Sequence, residues 1–372
     1  MTGGEFEAIA RLAARLRAPP PGQIWIGDDA AVVPSPGGWL LLAADAVVEG
    51  VHADLALTGL DDLGWKALVA NLSDVAAMGG TPGHALVTVA APPHTDLDQL
   101  YAGLGQAADA YRCPVVGGDL VTSPVLVVAV AVTGSLDGPA ITRAGARPGD
   151  GIWVTGTLGG AAAGLRLLRL LGPERATGPE RPPDRATGPG AGAPPAPEVV
   201  AARVGDHARP QAPVAEGRAA RRAGATAMID VSDGFSADLW HLAEASGVGF
   251  SLDGALPVAA GASRDEALGG GEDYRLVFTA PAGAAVEVAF AGLAAPVRVG
   301  TCVADPGHRC LEGVPLPPRG WQHGGWPHGG WPHGGWQHGG WPPPGWSRHP
   351  RPAGDQGQHQ QQAISQISLE QE

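Results

Sequence analysis

Two long apolar runs constrain what this chain can fold into: WLLLAADAVVEGV, from Trp39 to Val51, and PVLVVAVAVTGS, from Pro124 to Ser135. Each is short enough and rich enough in Val, Leu and Ala to read as a buried strand, the first interrupted by one charge, Asp45. Between them the text takes a helical period. Asp61 and Asp62 suit the positive end of a helix, Leu68, Leu72 and Val75 form an apolar stripe, and Gly79 with Gly80 supplies the stop after NLSDVAAM. Asn71 and Asp74, three positions apart, share a face beside that stripe. Buried strands with a helix between them predict an α/β chain.

A second unit begins near Ile141. GIWVTG reads as a strand, TLGG as a tight turn and residues 161–171 as an apolar helix. The composition then shifts: PERATGPERPPDRATGPGAGAPPAPE, from Pro173 to Glu198, repeats RATGP and carries too much Pro, Gly and charge to bury a core. A disordered surface insertion is expected over residues 171–200. Order is expected to return with MIDV as a strand, then a helix capped by Ser232 or Asp233 that runs to about Ser246 and closes at Gly247. LGGGEDYRLVF reads as a glycine turn feeding a strand, and the folded part is expected to stop near Pro318. After it, Trp recurs at 321, 326, 331, 336, 341 and 346 and His at 323, 328, 333 and 338, in a Gly- and Pro-dense repeat ahead of a glutamine-rich end. A chain of 372 residues exceeds one typical core. The expectation is therefore an N-terminal domain over 1–140, a C-terminal domain over 141–320 and a disordered low-complexity tail over 321–372.

Charge and cysteine content exclude several classes. Lys+Arg 24 against Asp+Glu 37 leaves a net charge of −13, which argues against nucleic acid or an anionic membrane as a partner. Lys66 is the only lysine, so a P-loop and the paired lysine of the protein-kinase fold are both excluded. Phosphate chemistry here has to run on arginine, backbone amides and metal. Cys113, Cys302 and Cys310 are odd in number and lack CxxC spacing, which predicts a reducing, cytoplasmic setting without a structural disulfide or zinc cluster. The first residues carry acids and place Phe6, Ile9, Ala13 and Leu16 on one helical face, an amphipathic helix in place of a signal peptide. No apolar run approaches the roughly 18 residues of a membrane span.

Acids recur where an apolar element meets glycine or a turn: IGDDAAV (Asp28, Asp29), LAADAV (Asp45), NLSDVAAMGG (Asp74), VVGGDL (Asp119), IDVSDG (Asp230, Asp233) and GGGEDY (Glu272, Asp273). One Asp before a helix is ordinarily a cap, and GD pairs are ordinary turns. Repeated at the ends of buried strands they are costly unless paired or on a metal. Oxygen ligands without Cys favour Mg²⁺ over zinc.

In order along the chain, GEF, IGDDAAV, NLSDVAAMGG, GGD, TRAGARPGD, VTGTLGG, IDVSDGFSADL and GGGEDYRLVF resemble the thiamine-monophosphate kinase family, in the superfamily that includes aminoimidazole ribonucleotide synthetase. The resemblance spans roughly Gly3 to Trp321 apart from the insertion. It implies a PurM-like α/β architecture: an N-terminal sheet domain that pairs with a second copy in a homodimer, a C-terminal α/β sandwich, and an active site in the cleft between them. It implies ATP-dependent phosphorylation of thiamine monophosphate to thiamine diphosphate with several Mg²⁺ ions. By motif position, Asp29, Asp45, Asp74, Asp119, Asp230 and Asp233 would be metal ligands. Gly118, Asp119, Arg143 and Ser232 would face ATP, and His52, Glu272 and Trp321 the thiamine phosphate. No general base is needed, because a phosphate oxygen with a second pKa of about 6 is already largely ionised at neutral pH. The obstacle is repulsion between the acceptor and the γ-phosphoryl group, which positioning and cations overcome.

The chain departs from the family at two places. Ala43 and Ala44 stand where Ser or Thr usually precedes the aspartate matching Asp45, and Leu120 stands where Thr usually follows GGD. Alternatives follow from these departures and from the tail. They are a non-catalytic thiamine-phosphate or nucleotide binder, another ATP-dependent synthetase of the superfamily, and a metal-binding His-Gly-Gly-Trp tail. Selenophosphate synthetase would want a reactive Cys near the amino terminus and the hydrogenase maturation dehydratase a carboxy-terminal Cys; neither is present. Ordinary structural roles also stand beside the functional ones: a strand-end turn and cap for Asp230 and Asp233, a surface histidine for His52, a surface ion pair for Arg143, a tight turn for TGTLGG, and the first unit of the repeat for Trp321.

Overall fold

The computed structural model describes residues 5–172 and 195–321; residues 173–194 of the insertion expected over 171–200 and the repeat tail from 322 onward lie outside them, while residues 197–200 of that expected insertion are helical. The apolar runs form strands, and more lies between them than one helix. After α1 (Glu5–Ala13) come β1 (Ala31–Ser35), β2 (Gly38–Val48), α2 (Leu60–Ala77), β3 (Thr81–Ala91), α3 (Leu97–Tyr111), β4 (Val115–Thr122) and β5 (Val127–Leu136). These strands make a sheet of order β1-β2-β5-β3-β4, antiparallel except for β3 beside β4. The two runs, β2 and β5, thus lie side by side, with Asp45 opposite Val130. Only one face of β2 is covered. Leu41 and Val47 are buried while Leu42, Ala44 and Ala46 are exposed, so the strand expected to be buried is covered on one face only.

The covered face packs on α2 and α3 through Leu41, Val87, Val89, Val128 and Val130 against Leu68, Leu72, Val75, Leu100 and Leu104. Helix α2 is buried on nearly all sides, which accounts for its weak amphipathic pattern. Gly79 at φ 72° turns the chain out of it, as the Gly pair predicts.

The second half comprises β6 (Gly151–Val154), α4 (Gly160–Leu171), α5 (Pro197–Ala208), α6 (Val214–Arg222), β7 (Ala227–Asp230), α7 (Phe235–Ser246), β8 (Gly249–Leu252), α8 (Arg264–Gly269), β9 (Leu276–Ala280), α9 (Val286–Ala289), β10 (Val297–Val303), β11 (Arg309–Leu311) and β12 (Val314–Pro315). Its sheet runs β12-β11-β8-β10-β6-β9-β7. Order therefore returns before MIDV, with α5 and α6. Helix α5 buries Val200 and Val204 against Leu167 and Leu168 of α4, a partner on the far side of the insertion that local sequence does not reveal.

Neither Ser232 nor Asp233 caps α7. The carboxylate of Asp238, inside the helix, folds back to accept the N–H groups of Asp233 and Gly234, and Gly247 closes the helix at φ 67°. Helix α2 joins the halves: Ala77 sits in a core with Ala219, Met228, Leu276 and Phe278. At the crossing of α2 and α6, a Cβ on Gly217 would lie 2.1 Å from the carbonyl oxygen of Ala76, so only glycine fits there. Over the described residues, both halves belong to one compact unit. No helix among the described residues is long and apolar enough to cross a membrane.

Candidate active site

A loop, two strands and one buried helix deliver the acids. Asp28 and Asp29 precede β1, Asp45 lies on the helix-covered side of β2, Asp74 stands near the end of α2, and Asp230 ends β7. Asp29, Asp74 and Asp230 each present an oxygen, and these atoms lie within 4.8 Å of one another. Such a trio can hold a divalent cation through oxygen ligands. Asp29 Oδ2 is buried and accepts no hydrogen bond. Its other oxygen takes Arg143 Nη2 at 2.5 Å, while Asp28 accepts the backbone N–H of Arg143 at 3.2 Å.

Packing acids this closely shifts their protonation. Burial, reinforced by Asp29, pushes Asp230 up to about 7, against the pull of Ser73 and Arg143. Burial and then Asp45, Asp230 and Asp29 raise Asp74 well above the usual carboxylate range. Burial and Asp29 lift Asp28 to about 7. Burial also raises Asp29, with Arg143 opposing. The cluster thus resists full ionisation without a cation.

Helix α2 organises much of this site. Ser73 donates to Asp230 Oδ2 at 2.7 Å, both side chains buried. Asn71 accepts the backbone N–H of Asp45 at 2.8 Å and anchors itself on the Ala67 carbonyl at 3.0 Å. One turn earlier Lys66 reaches Glu272 at 2.9 Å. One helix thereby registers β2, β7 and the GGGEDY segment against one another. Ser73, Asn71, Lys66, Asp28 and His207 were not among the expected site residues. The signal available was polar residues at helical spacing inside an apolar helix.

The remaining expected residues divide by location. Ser232 and Asp233 lie half-buried in the loop after Asp230, and their carbonyls accept the backbone N–H groups of Glu272 at 2.7 Å and Trp321 at 3.0 Å. The main chains of Glu272 and Trp321 are thus held at adjacent positions of one loop. Trp321 is 43% exposed. His52 accepts the Val48 N–H through Nδ1 at 3.1 Å, and its field reaches Glu272. The end of the TGTLGG turn is held by a carboxylate from the GGGEDY segment: Asp273 accepts the N–H groups of Gly159 and Ala161 at the start of α4. Burial raises Asp273 to about 6 despite those donors.

Gly118 and Asp119 stand apart from the trio. The register row Asp45, Val130, Val87, Gly118 crosses the first sheet, and Asp119 pairs with Thr88, so by alternation Asp119 points to the opposite, uncovered face. A Cβ on Gly118 would lie 1.7 Å from the Val87 carbonyl oxygen, which explains glycine there. Within one chain these two residues do not join Asp29, Asp74 and Asp230.

Known proteins match both halves. The family description AIR synthase related protein fits in two parts, its N-terminal domain over residues 27–136 and its C-terminal domain over 147–310. Thiamine-monophosphate kinase of Corynebacterium glutamicum is 35% identical over 294 residues, 74% of this chain and 81% of that protein. Its namesake from Escherichia coli K12 is 34% identical over 351 residues, 87% of this chain and 99% of that protein. The structure described as AaThiL complexed with AMPPCP and TMP superposes with a TM-score of 0.72 at 31% identity, covering 86% of this chain and 97% of the other. Escherichia coli HypE, a hydrogenase maturation protein at 18% identity and TM-score 0.54, shares the fold alone. By these matches over both halves, the chain belongs to the thiamine-monophosphate kinase family of AIR synthase related proteins.

Proposed function

We propose that this protein transfers the γ-phosphoryl group of ATP to the phosphate of thiamine monophosphate, forming thiamine diphosphate and ADP. The observation that carries the reading is the Asp29, Asp74 and Asp230 trio, Asp230 buried and the other two half-buried, with one orphaned carboxylate oxygen, in a chain of this family. The donor set fits Mg²⁺: hard oxygen ligands, acids whose charge is otherwise suppressed by proton uptake, and a buried acceptor with no protein partner. Asp29, Asp74 and Asp230 would hold it, with Asp45 and Asp233 beside them. Bound there, Mg²⁺ would supply positive charge that offsets the negative charge of the phosphates.

The protein's own contribution is alignment. Arg143 and Ser232 face the nucleotide, and the Arg143 guanidinium, although burial works against its charge, is kept protonated by Asp29 and Asp28. His52, Glu272 and Trp321 face the thiamine phosphate, the indole face being suited to a thiazolium cation. The acceptor oxygen needs no deprotonation, so no side chain is assigned as a general base.

Gly118 and Asp119 fit a homodimer. Asp119 shares the uncovered sheet face with exposed Leu42, Leu86 and Ala44, an apolar surface that a second copy would cover, bringing Asp119 to the nucleotide at the junction. The boundary between the domains falls near residue 140, and free Cys113, Cys302 and Cys310 suit the cytoplasm.

The test is coupled turnover of the purified protein with ATP, Mg²⁺ and thiamine monophosphate, followed as thiamine diphosphate, with Asp230→Asn alongside. Product formed by the wild type and lost in Asp230→Asn is expected. Tight thiamine-phosphate or nucleotide binding without turnover would replace the kinase by a non-catalytic binder.

A further inference from the structure

The chain's single lysine is placed where a lysine is hardest to accommodate. Lys66 is 1% exposed, inside α2, in a chain whose other basic residues are arginine or histidine. Its Nζ lies 2.9 Å from Oε2 of Glu272, and Nδ1 of His207, itself 5% exposed on α5, lies 3.4 Å from the same oxygen. Both contacts fall on Oε2. No hydrogen bond to Oε1 occurs among the described residues, and the Glu272 side chain keeps 26% of its surface open.

The backbone around Glu272 is equally constrained. Glu272 adopts φ 64° and Tyr274 φ 46°, left-handed conformations that cost a non-glycine residue energy and persist where the surroundings impose them. Asp273 between them is tied to the start of α4, and the Glu272 N–H to Ser232. The far end of α5 is fixed to the first half as well. Trp65 donates to the Pro210 carbonyl at 2.8 Å, Arg209 pairs with Asp61 at 2.6 Å and with Asp62, and Tyr111 accepts the Ala212 N–H at 2.8 Å. His207 is thereby carried on a segment clamped to α2.

From this geometry we infer that Lys66 and His207 are positioning residues for thiamine-phosphate recognition, clamping Oε2 of Glu272 so that Oε1 is presented to an N–H donor of the substrate. The inference rests on the substrate reading of Glu272 given above. A compact ammonium suits the buried end of the clamp, where a guanidinium fork would demand more acceptors than a single carboxylate oxygen supplies. With its charge met on one oxygen, the carboxylate favours a neutral hydrogen-bond donor, such as the amino group of the thiamine pyrimidine, over a competing cation.

Steady-state kinetics of Lys66→Met, His207→Gln, Glu272→Gln and the Lys66→Met/Glu272→Gln double variant, with ATP and thiamine monophosphate varied separately, test this. In Lys66→Met the KM for thiamine monophosphate is expected to rise about tenfold or more, the scale of a hydrogen bond to a charged group. The KM for ATP should stay within about twofold, because the side-chain contacts of the clamp reach no expected nucleotide residue and the Glu272 main chain alone meets Ser232. His207→Gln shifts the same parameter less and serves if Lys66→Met fails to fold. In the Glu272→Gln background the Lys66→Met effect should largely vanish. Equal rises in both KM values, an unchanged KM for thiamine monophosphate, or additivity with Glu272→Gln would overturn the positioning role. A wild type that neither binds nor phosphorylates thiamine monophosphate would refute the underlying reaction instead.

Discussion

Replacing Asp230 with Asn should stabilise the cation-free protein and abolish its response to Mg²⁺. Oxygens of Asp29, Asp74 and Asp230 lie within 4.8 Å of one another. At that separation each ionised pair costs about 3.5 kcal/mol with an effective dielectric of about 20. The cluster lessens this by retaining protons, Asp230 being lifted from 3.8 to about 7. A carboxyl whose folded pKa is raised contributes stability that is full below about pH 4 and is lost as pH rises to about 7, so at pH 8 none of it remains. About three units at about 1.4 kcal/mol each set an upper bound of about 4 kcal/mol for that loss. Asn keeps an acceptor for Ser73 and carries no charge. In EDTA at pH 8 the variant should gain about 1–3 kcal/mol, a rise of several degrees in Tm for a protein of this size. The gap should shrink toward pH 5. Mg²⁺ at about 100 times its Kd should return about 2.7 kcal/mol to the wild type and little to the variant. Thermal unfolding with and without Mg²⁺ at the two pH values measures all of this. An Asp230→Asn protein that melts below the wild type in EDTA at pH 8, or that gains as much from Mg²⁺, refutes the cation-site reasoning.

Two further predictions test other parts of the structure. Burial and Lys66 depress His207 from 6.5 to about 4, so its contribution is present above pH 6.5 and is lost as pH falls toward 4. Urea unfolding at pH 7 and pH 4.5 should show up to about 3 kcal/mol less acid sensitivity in His207→Gln than in the wild type; identical sensitivity would remove His207 from the account. Gly217→Ala places a Cβ 2.1 Å from the Ala76 carbonyl oxygen and should lower stability by about 1–3 kcal/mol at the crossing of α2 and α6, read as a fall in Tm. An unchanged Tm would mean that this contact is looser than it stands.

What could be read from the chain alone was whatever is encoded over a few neighbouring residues. The strands β2 and β5, the stop of α2 at Gly79, the closure of α7 at Gly247 and the strand feeding from GGGEDY follow from period and turn chemistry. The acids at strand ends were visible too, since a charge beside a buried run is conspicuous. Strand β3, helix α3 and strand β4, and the helices α5 and α6, were missed because their signals are weak locally and their partners distant. Val200 and Val204 make sense only against α4 across the insertion. Likewise, the N-cap position of α7 fell to Gly234 in place of Ser232 or Asp233, with Asp238 holding the entering main chain.

Tertiary structure alone decided which acids meet. Sequence treats Asp29, Asp45, Asp74, Asp119, Asp230 and Asp233 alike, as acids beside apolar segments. Folding gathers three of them within 4.8 Å and sends Asp119 to the other face of the sheet, because register and strand alternation, not local composition, choose the face. The same holds for Lys66, which excludes a P-loop when read in sequence and becomes the buried partner of Glu272, 206 positions away, only when α2 is enclosed. Local pattern determines elements because propensities and turns act over a few residues. Long-range juxtaposition determines the site, because desolvation and Coulomb forces act between whichever groups the packed elements bring together.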